Sequence, residues 1–173
     1  NAMTVHERKA EPWKVTLVDT GDATLTGGRL KRVAAHVRDE PAFCFTYGDG
    51  LADIDLAKLI AFHRQHGKPA TVTAVTPPGR YGALEISSGT VTAFTEKPRG
   101  DGGLINGGFF VLSPRVLDFI EGDATSFEGS PIQRMAAAGQ LAAFEHRGFW
   151  QPMDTIRDRN VLEALWDSGQ APW

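Results

Sequence analysis

Two aspartates, Asp49 and Asp154, each place a lone charge at the edge of an apolar stretch of the chain. Asp49 lies between Gly48 and Gly50, and Asp154 is followed directly by Thr155. An uncompensated carboxylate in such a place is costly unless it is solvated, caps a helix or binds a cation. Two of them, far apart in sequence, predict convergence on one metal ion. Magnesium fits this pair, because it binds through one or two carboxylates and substrate phosphates.

A second group of polar residues is suited to a sugar phosphate. Glu96 can accept hydrogens from sugar hydroxyls, and the neighbouring Lys97 can neutralise phosphate oxygens, although a solvated turn is an equal alternative. Asn106 precedes two glycines at a strand entrance, which suits a sugar hydroxyl contact as well as it suits a β-bulge. In residues 77–82, the backbone near Gly82 and the Arg80 side chain can approach an anion.

Other aspartates and histidines that could bind a metal ion are better explained by structural roles. Asp53 and Asp55, read with Asp49, lack the ligand spacing and glycine position of an EF-hand, so we interpret them as a helix cap and a first-turn dipole partner. His63 and His66 are one helical turn apart, but no third nitrogen or sulfur ligand is near in sequence. A partly exposed helix face is therefore favoured over a zinc site.

The composition narrows the class of partner. The chain has 173 residues, 42% hydrophobic and 23% charged, which fits one globular domain or a large piece of one. A net charge of −3 without a basic block argues against nucleic acid and leaves small phosphate ligands open. No apolar run is long enough for a membrane span, and no signal peptide is recognised. Cys44, the single cysteine, is interpreted as a small core residue in a reducing compartment, so we expect a cytoplasmic protein.

The elements that must position these residues alternate between strand and helix in the first half of the chain. The predictions are a strand at 15–18, a glycine turn at 26–28 before a helix, a strand at 42–47 buried on both faces, a helix capped by Asp53 and ended by Gly67, and a strand at 70–75. This order predicts parallel strands joined by right-handed crossovers. Ligands then collect beyond the carboxyl ends of the strands, where Asp49 lies.

The second half has shorter strands with polar or glycine-rich turns, predicted at 81–86, 91–94, 109–112 and 141–144. Helices are predicted after Ser113 and Ser130, and a capping box of Thr155 and Asp158 begins a last helix that buries Leu162, Leu165 and Trp166. The predicted fold class is therefore α/β, with a mixed, mainly parallel sheet and helices on both faces.

Seven segments together resemble the nucleotide-sugar pyrophosphorylases, and within them the glucose-1-phosphate cytidylyltransferases. They are EPWKVTLVDTG at 11–21, TGGRLKRV at 26–33, YGDG at 47–50, PPGRYGAL at 77–84, EKP at 96–98, INGGFF at 105–110 and GFWQPMDT at 148–155. The resemblance covers nearly the whole chain, and the strings around Trp13 and Trp150 are its most specific parts. It implies a Rossmann-like, nucleotide-diphospho-sugar transferase fold, of which residues 1–173 form one partial nucleotidyltransferase domain.

The resemblance also implies an activity and roles for residues. The activity is magnesium-dependent cytidylyl transfer from CTP to glucose 1-phosphate, giving CDP-glucose and pyrophosphate, by a homo-oligomer. The implied metal-binding residues are Asp49 and Asp154, which with Lys97 are also the implied catalytic residues. The implied substrate-binding residues are Gly82, Glu96, Lys97 and Asn106 on the sugar side, and Gly27, Gly28 and Arg29 near the nucleotide base.

One departure from the family concerns the triphosphate. The family opens with a strand and a glycine-rich loop, G-x-G-T-R-L, followed by a lysine after a proline, and residues 1–173 contain neither. We therefore expect an N-terminally incomplete domain that alone makes little product. The alternatives are a non-catalytic module that binds a sugar phosphate or nucleotide sugar, another sugar-1-phosphate nucleotidyltransferase, and an interaction domain that pairs through exposed sheet.

Overall fold

The computed structural model describes residues 13–79, 83–95 and 103–173. Their elements, in chain order, are α1 (Thr26–Arg32), β1 (Phe43–Thr46), β2 (Gly50–Ala52), α2 (Leu56–His66), β3 (Ala70–Val75), β4 (Ala83–Ser87), β5 (Thr90–Thr95), β6 (Ile105–Leu112), α3 (Ser130–Ala137), β7 (Leu141–His146), β8 (Trp150–Pro152) and α4 (Ile156–Asp167). Two 3-10 helices lie at Ala34–His36 and Pro114–Phe119. No helix in these ranges has the length and apolar character needed to cross a bilayer.

A mixed four-stranded sheet in the order β1-β6-β3-β7 forms the centre of the described fold. Strand β6 runs antiparallel to β1 and β3, and β7 runs parallel to β3, so β1, β3 and β7 share one direction. The predicted mixed α/β sheet is confirmed. The predicted parallel first half is only partly right, because β6, which comes later in the chain, lies between β1 and β3.

Helices cover both faces of this sheet, as predicted. Ala70 of β3 and Phe110 of β6 belong to a core cluster that also contains Leu30 of α1 and Met135 of α3. Side chains alternate along a strand, so Thr71 points to the opposite face, where it contacts α2. The site must therefore form at the ends of the strands, since both faces are occupied.

Two predicted strands differ from the structure. Residues 15–18 form no strand, and Val15 and Leu17 are 71% and 92% exposed, because no described strand lies beside them to complete a ladder. Strand β1 is present, but Phe43 and Phe45 are half-buried while Cys44 is exposed. A strand at the edge of a sheet, packed on one face, produces this alternation, so the prediction that Cys44 belongs to the core was wrong.

The predicted glycine turn before α1 lies inside the helix. α1 begins at Thr26, so Gly27 and Gly28 occupy its first turn. A Cβ atom at Gly27 would lie 2.8 Å from the Thr125 carbonyl oxygen, and one at Gly28 would lie 2.6 Å from Asp123 backbone atoms. These glycines allow α1 to pack closely against the segment before Phe127, which explains their presence without a turn.

The cap of α2 also differs from the prediction. Asp55 accepts a hydrogen bond from the Lys58 N–H at 3.0 Å and is the N-cap, whereas Asp53 accepts from the Phe149 N–H at 2.7 Å. Gly67 ends α2 in the left-handed conformation, with φ of 67°, as predicted.

Later helices follow the predicted boundaries more closely than the predicted burial. Thr155 and Asp158 form the predicted capping box at the start of α4. Leu162 is buried on this helix, but Trp166 is 68% exposed, so the predicted apolar face is narrower than expected. The helix predicted after Ser113 is a 3-10 helix.

Candidate functional site

Asp49 and Asp154 lie at the same end of a two-stranded ribbon. Asp49 directly precedes β2, and Asp154 comes two residues after the end of β8. The two strands are antiparallel with Gly50 opposite Pro152, and the Met153 N–H donates to the Asp49 carbonyl oxygen at 2.7 Å. A start and an end meet in an antiparallel pair, so this pairing brings together two residues more than a hundred positions apart in sequence.

A cavity of about 200 Å³ lies between this ribbon and the N-terminal end of β6. Its lining residues are Thr46, Tyr47, Asp49, Gly50, Asn106, Gly107, Gly108, Trp150, Pro152 and Asp154. Three of the residues singled out from the sequence, Asp49, Asn106 and Asp154, therefore line one cavity. All three side chains are exposed, which leaves them open to a ligand.

The wall around Asn106 is tightly constrained. Its Oδ1 atom accepts a hydrogen bond from the Gly108 N–H at 2.9 Å, and Gly108 has φ of +79°. A Cβ atom at Gly107 would lie 2.7 Å from the Val75 side chain. The register of β3 against β6 shifts between Val72 and Ala74, so the bulge considered from the sequence is present, and Asn106 lines the cavity as well.

Trp150 joins this cavity to a larger one. Its Nε1–H donates to the Gly107 carbonyl oxygen at 2.8 Å, and its side chain lines both spaces. The larger cavity, of about 720 Å³, lies beyond the ends of β3 and β7. Its other lining residues are Thr76, Pro78, Gly79, Leu104, Glu145, His146, Arg147, Gly148, Phe149 and Gln151.

A carboxylate that sequence reasoning missed supports the cavity wall. Glu128 accepts hydrogen bonds from the Tyr47 hydroxyl, the Thr26 hydroxyl at 2.7 Å and the Ser126 hydroxyl at 2.6 Å. Burial alone would raise the pKa of Glu128, but these three donors outweigh it and lower that pKa below its ordinary value. No pattern around Glu128 in the sequence indicates this role, because its partners come from distant segments.

Tyr47 remains a neutral phenol in this arrangement. Burial, followed by its hydrogen bond to Glu128, raises the pKa of Tyr47 well above its ordinary value, and the Asn106 side chain opposes that rise. The Tyr47 hydroxyl therefore donates to the carboxylate while the ring faces Gly108, where a Cβ atom would lie 2.8 Å from the ring.

The residues predicted near the nucleotide base do not line the cavity of Asp49 and Asp154. Gly27 and Gly28 are buried in α1, and the Gly28 N–H donates to the Thr125 carbonyl oxygen at 3.2 Å. Arg29 is exposed and donates to the Thr20 hydroxyl at 2.7 Å. In this structure, these three residues hold segments of the chain together.

Three other predicted residues, Gly82, Glu96 and Lys97, lie outside the described residues. Within the described ranges, no group of three or more His, Cys, Asp or Glu side chains could hold a metal ion. His63 and His66 share the Thr71 hydroxyl instead, at 2.9 and 2.8 Å, and His63 is buried where a partly exposed position was predicted.

Comparison with known proteins assigns the chain to a family. The Nucleotidyl transferase family model matches residues 14–160. The chain is 61% identical over all 173 residues to glucose-1-phosphate cytidylyltransferase of Salmonella typhi, covering 67% of that protein. It is 43% identical over 164 residues to the probable glucose-1-phosphate cytidylyltransferase of Bacillus subtilis, covering 94% of the chain and 64% of that relative. The chain thus spans about two thirds of the length of these relatives.

A solved structure supports the fold. The crystal structure of HddC from Yersinia pseudotuberculosis matches with a TM-score of 0.59 at 23% identity, covering 80% of this chain and 60% of that one. At this identity, the match bears on the fold alone.

Proposed function

Because this chain belongs to the nucleotidyl transferase family, we propose that it is the metal-binding and sugar-phosphate-binding portion of a glucose-1-phosphate cytidylyltransferase. The reaction is magnesium-dependent transfer of a cytidylyl group from CTP to glucose 1-phosphate, which yields CDP-glucose and pyrophosphate. The single observation that carries this proposal is the cavity lined by Asp49, Asp154 and Asn106.

The donors in this cavity fit magnesium. Among the described residues that line it, Asp49 and Asp154 offer hard oxygen donors, and none offers a histidine nitrogen or a cysteine sulfur. Magnesium usually keeps several waters and takes its remaining ligands from substrate phosphates. Asp49 and Asp154 would hold it. Bound there, the ion would neutralise charge on the nucleotide phosphates.

The proposed chemistry needs no covalent intermediate with the protein. A phosphate oxygen of glucose 1-phosphate attacks the α-phosphorus of CTP, a new P–O bond forms, and the bond to pyrophosphate breaks. The protein therefore acts by positioning and by charge neutralisation. Asp49 and Asp154 would supply the negative charge that holds the magnesium ion, and Asn106 presents a polar side chain in the same cavity.

We propose that the sugar phosphate binds with the help of Gly82, Glu96 and Lys97. The support comes from their neighbours in sequence. Gly79 lies three positions before Gly82, and Leu104 lies seven positions after Lys97. Both line the larger cavity, which Trp150 shares with the smaller one.

We also propose that Gly27, Gly28 and Arg29 lie near the bound nucleotide. Their support is Thr26, which begins α1 and is joined through Glu128 to Tyr47 in the cavity wall.

Calorimetric titration with glucose 1-phosphate, with and without magnesium, tests the proposal. We expect glucose 1-phosphate to bind about tenfold more weakly to Lys97→Ala than to the unaltered chain. In a parallel titration with CTP, we expect metal-dependent binding that is weaker in Asp154→Asn. Asp167→Asn, which changes an exposed aspartate on α4, is the matched control. Equal affinities in all four proteins would show that neither Lys97 nor Asp154 contributes to binding these ligands, and would overturn the proposal.

The nucleobase is tested separately, because the same cavity suits another sugar-1-phosphate nucleotidyltransferase. Titration with CTP, GTP and UTP under one magnesium concentration compares the bases directly. We expect CTP to bind most tightly, in line with the 61% identity to the Salmonella typhi cytidylyltransferase. A clear preference for GTP or UTP would overturn the base while leaving the reaction class intact.

A further inference from the structure

Glu128 occupies a rigid place behind the cavity. The preceding residue, Phe127, is fully buried, and its ring packs against Phe45 and Phe110 with centroids 5.4 and 5.6 Å apart. The Phe127 N–H donates to the Thr26 hydroxyl at 2.9 Å, and that hydroxyl donates to Glu128. The carboxylate is therefore held from both its backbone and its side chain, so it has little freedom to follow a moving partner.

Of the described donors to Glu128, which are Tyr47, Thr26 and Ser126, only Tyr47 also lines the cavity. Its ring lies against Gly108, whose N–H is bound by Asn106 Oδ1. A shift of the ring toward the cavity would enter the space beside Asn106, and a shift away would leave the Gly108 backbone without its packing partner. The position of Tyr47 thus sets the shape of the wall that carries Asn106.

Charge strengthens the link between Glu128 and Tyr47. A hydrogen bond to an ionised carboxylate is roughly twice as strong as one between neutral groups. Two further hydroxyls, of Thr26 and Ser126, hold the carboxylate in its ionised form. Since the Tyr47 ring has rotational freedom about its side-chain bonds, this fixed acceptor selects one orientation.

We propose that Glu128 is a positioning residue for sugar-phosphate binding: it fixes the Tyr47 ring and, through Gly108, the Asn106 side chain in the cavity of Asp49 and Asp154. The inference rests on the proposed function, because it assumes that this cavity binds the sugar phosphate. Glu128 itself lies behind Tyr47 and is not among the residues that line the cavity.

The test is a double-mutant cycle with Glu128→Gln and Tyr47→Phe. The first variant removes the charge and the second removes the hydroxyl, and each should weaken glucose 1-phosphate binding about tenfold by calorimetry. The double variant should bind no more weakly than either single variant, since both break the same link. Glu163→Gln, at an exposed glutamate on α4, should bind as the unaltered chain does.

A spectroscopic signal separates positioning from general stability. The chain has two tyrosines, so in a Tyr81→Phe background the ring-carbon resonance of labelled tyrosine reports Tyr47 alone. We expect this resonance to shift in Glu128→Gln and to stay unchanged in Glu163→Gln. If Glu128→Gln does not fold, Tyr47→Phe and Ser126→Ala carry the test, with the first weakening binding more than the second.

The possible failures differ. Two outcomes would overturn this inference and leave the proposed function intact. In the first, Glu128→Gln binds glucose 1-phosphate as tightly as the unaltered chain does. In the second, the losses of affinity in the two single variants add in the double variant. Absence of glucose 1-phosphate binding by the unaltered chain would overturn the proposed function and the inference with it.

Discussion

The Asp53 carboxylate lies 2.9 Å from Nε2 of His146 and accepts the Phe149 N–H at 2.7 Å. Asp53 directly follows β2, and Phe149 directly precedes β8, so this side chain closes the ribbon that carries Asp49 and Asp154. The Gly148 backbone passes so close to Asp53 that a Cβ atom at this position would collide with Asp53 Oδ1.

Loss of this link should open the ribbon. We expect Asp53→Ala to lower the free energy of unfolding by about 1–3 kcal/mol, because it leaves the Phe149 N–H without its acceptor and removes the carboxylate beside the His146 ring. Urea denaturation measures the change. Asp39→Ala, at an exposed aspartate, is the control and should stay within about 0.5 kcal/mol. Equal effects of the two substitutions would show that the link contributes nothing to stability.

Gly28→Ala tests the close packing of α1. Helix propensity alone favours alanine by about 1 kcal/mol. The new Cβ atom, however, would lie 2.6 Å from Asp123 backbone atoms, which cannot move as a flexible side chain can. We therefore expect a net loss of about 1–3 kcal/mol in the free energy of unfolding. Gly122→Ala, where no atom lies within 4 Å of the new Cβ, should be close to neutral. A stabilised Gly28→Ala would contradict the packing argument.

Trp150→Phe should loosen the wall between the two cavities. The substitution keeps an aromatic ring but removes the Nε1–H donor to the Gly107 carbonyl oxygen, which should cost about 0.5–1.5 kcal/mol of unfolding free energy. Calorimetry should also show weaker binding of glucose 1-phosphate. Trp166→Phe, at a side chain that is 68% exposed, controls for the change of ring. If both variants behave alike, the hydrogen bond has no role in the wall.

Acidification should destabilise the chain through His63 and His66. Burial lowers the pKa of both; the charges of His66, Arg115 and Arg64 lower that of His63 further, and Lys68 that of His66. The unfolded state then binds protons more tightly, so this stability is present above the ordinary pKa of 6.5 and is lost as pH falls below it toward the folded pKa values.

Urea denaturation at several pH values measures this loss of stability. We expect the dependence between pH 5 and pH 7, the range around an ordinary histidine pKa of about 6.5, to flatten in His63→Gln and to persist in His36→Gln, at an exposed histidine. A slope that is identical in all three proteins would place the titrating groups elsewhere.

Turnover should depend on the glycine-rich segment of the family. Residues 1–173 contain no G-x-G-T-R-L string, and loss of even one preorganised donor costs about a hundredfold in rate. We expect little pyrophosphate release from CTP and glucose 1-phosphate by this chain, and Asp154-dependent release by a form that carries the segment. Asp167→Asn in that form should retain activity. Rapid, Asp154-dependent turnover by the 173-residue chain would show that the segment is dispensable.

Local signals in the sequence were sufficient for several elements. The capping box of Thr155 and Asp158, the left-handed end of α2 at Gly67 and the apolar run of β3 all occur where they were predicted. Each depends on residues within a few positions of one another, so the pattern contains the interaction that makes it. The seven segments likewise predicted the family correctly, because a family resemblance depends on residue identities, which can be read from the sequence without knowing the fold.

The tertiary structure decided what depends on partners distant in the chain. The insertion of β6 between β1 and β3 turned a strand predicted as buried into an edge, and so exposed Cys44. Asp55, and not the predicted Asp53, caps α2, and Asp53 instead accepts a hydrogen bond from Phe149, ninety-six positions away. Glu128 gained Tyr47 and Thr26 only when α1, β1 and the segment before α3 came together. A carboxylate takes whichever donors the fold brings to it, and no local pattern records donors that are supplied from a hundred residues away.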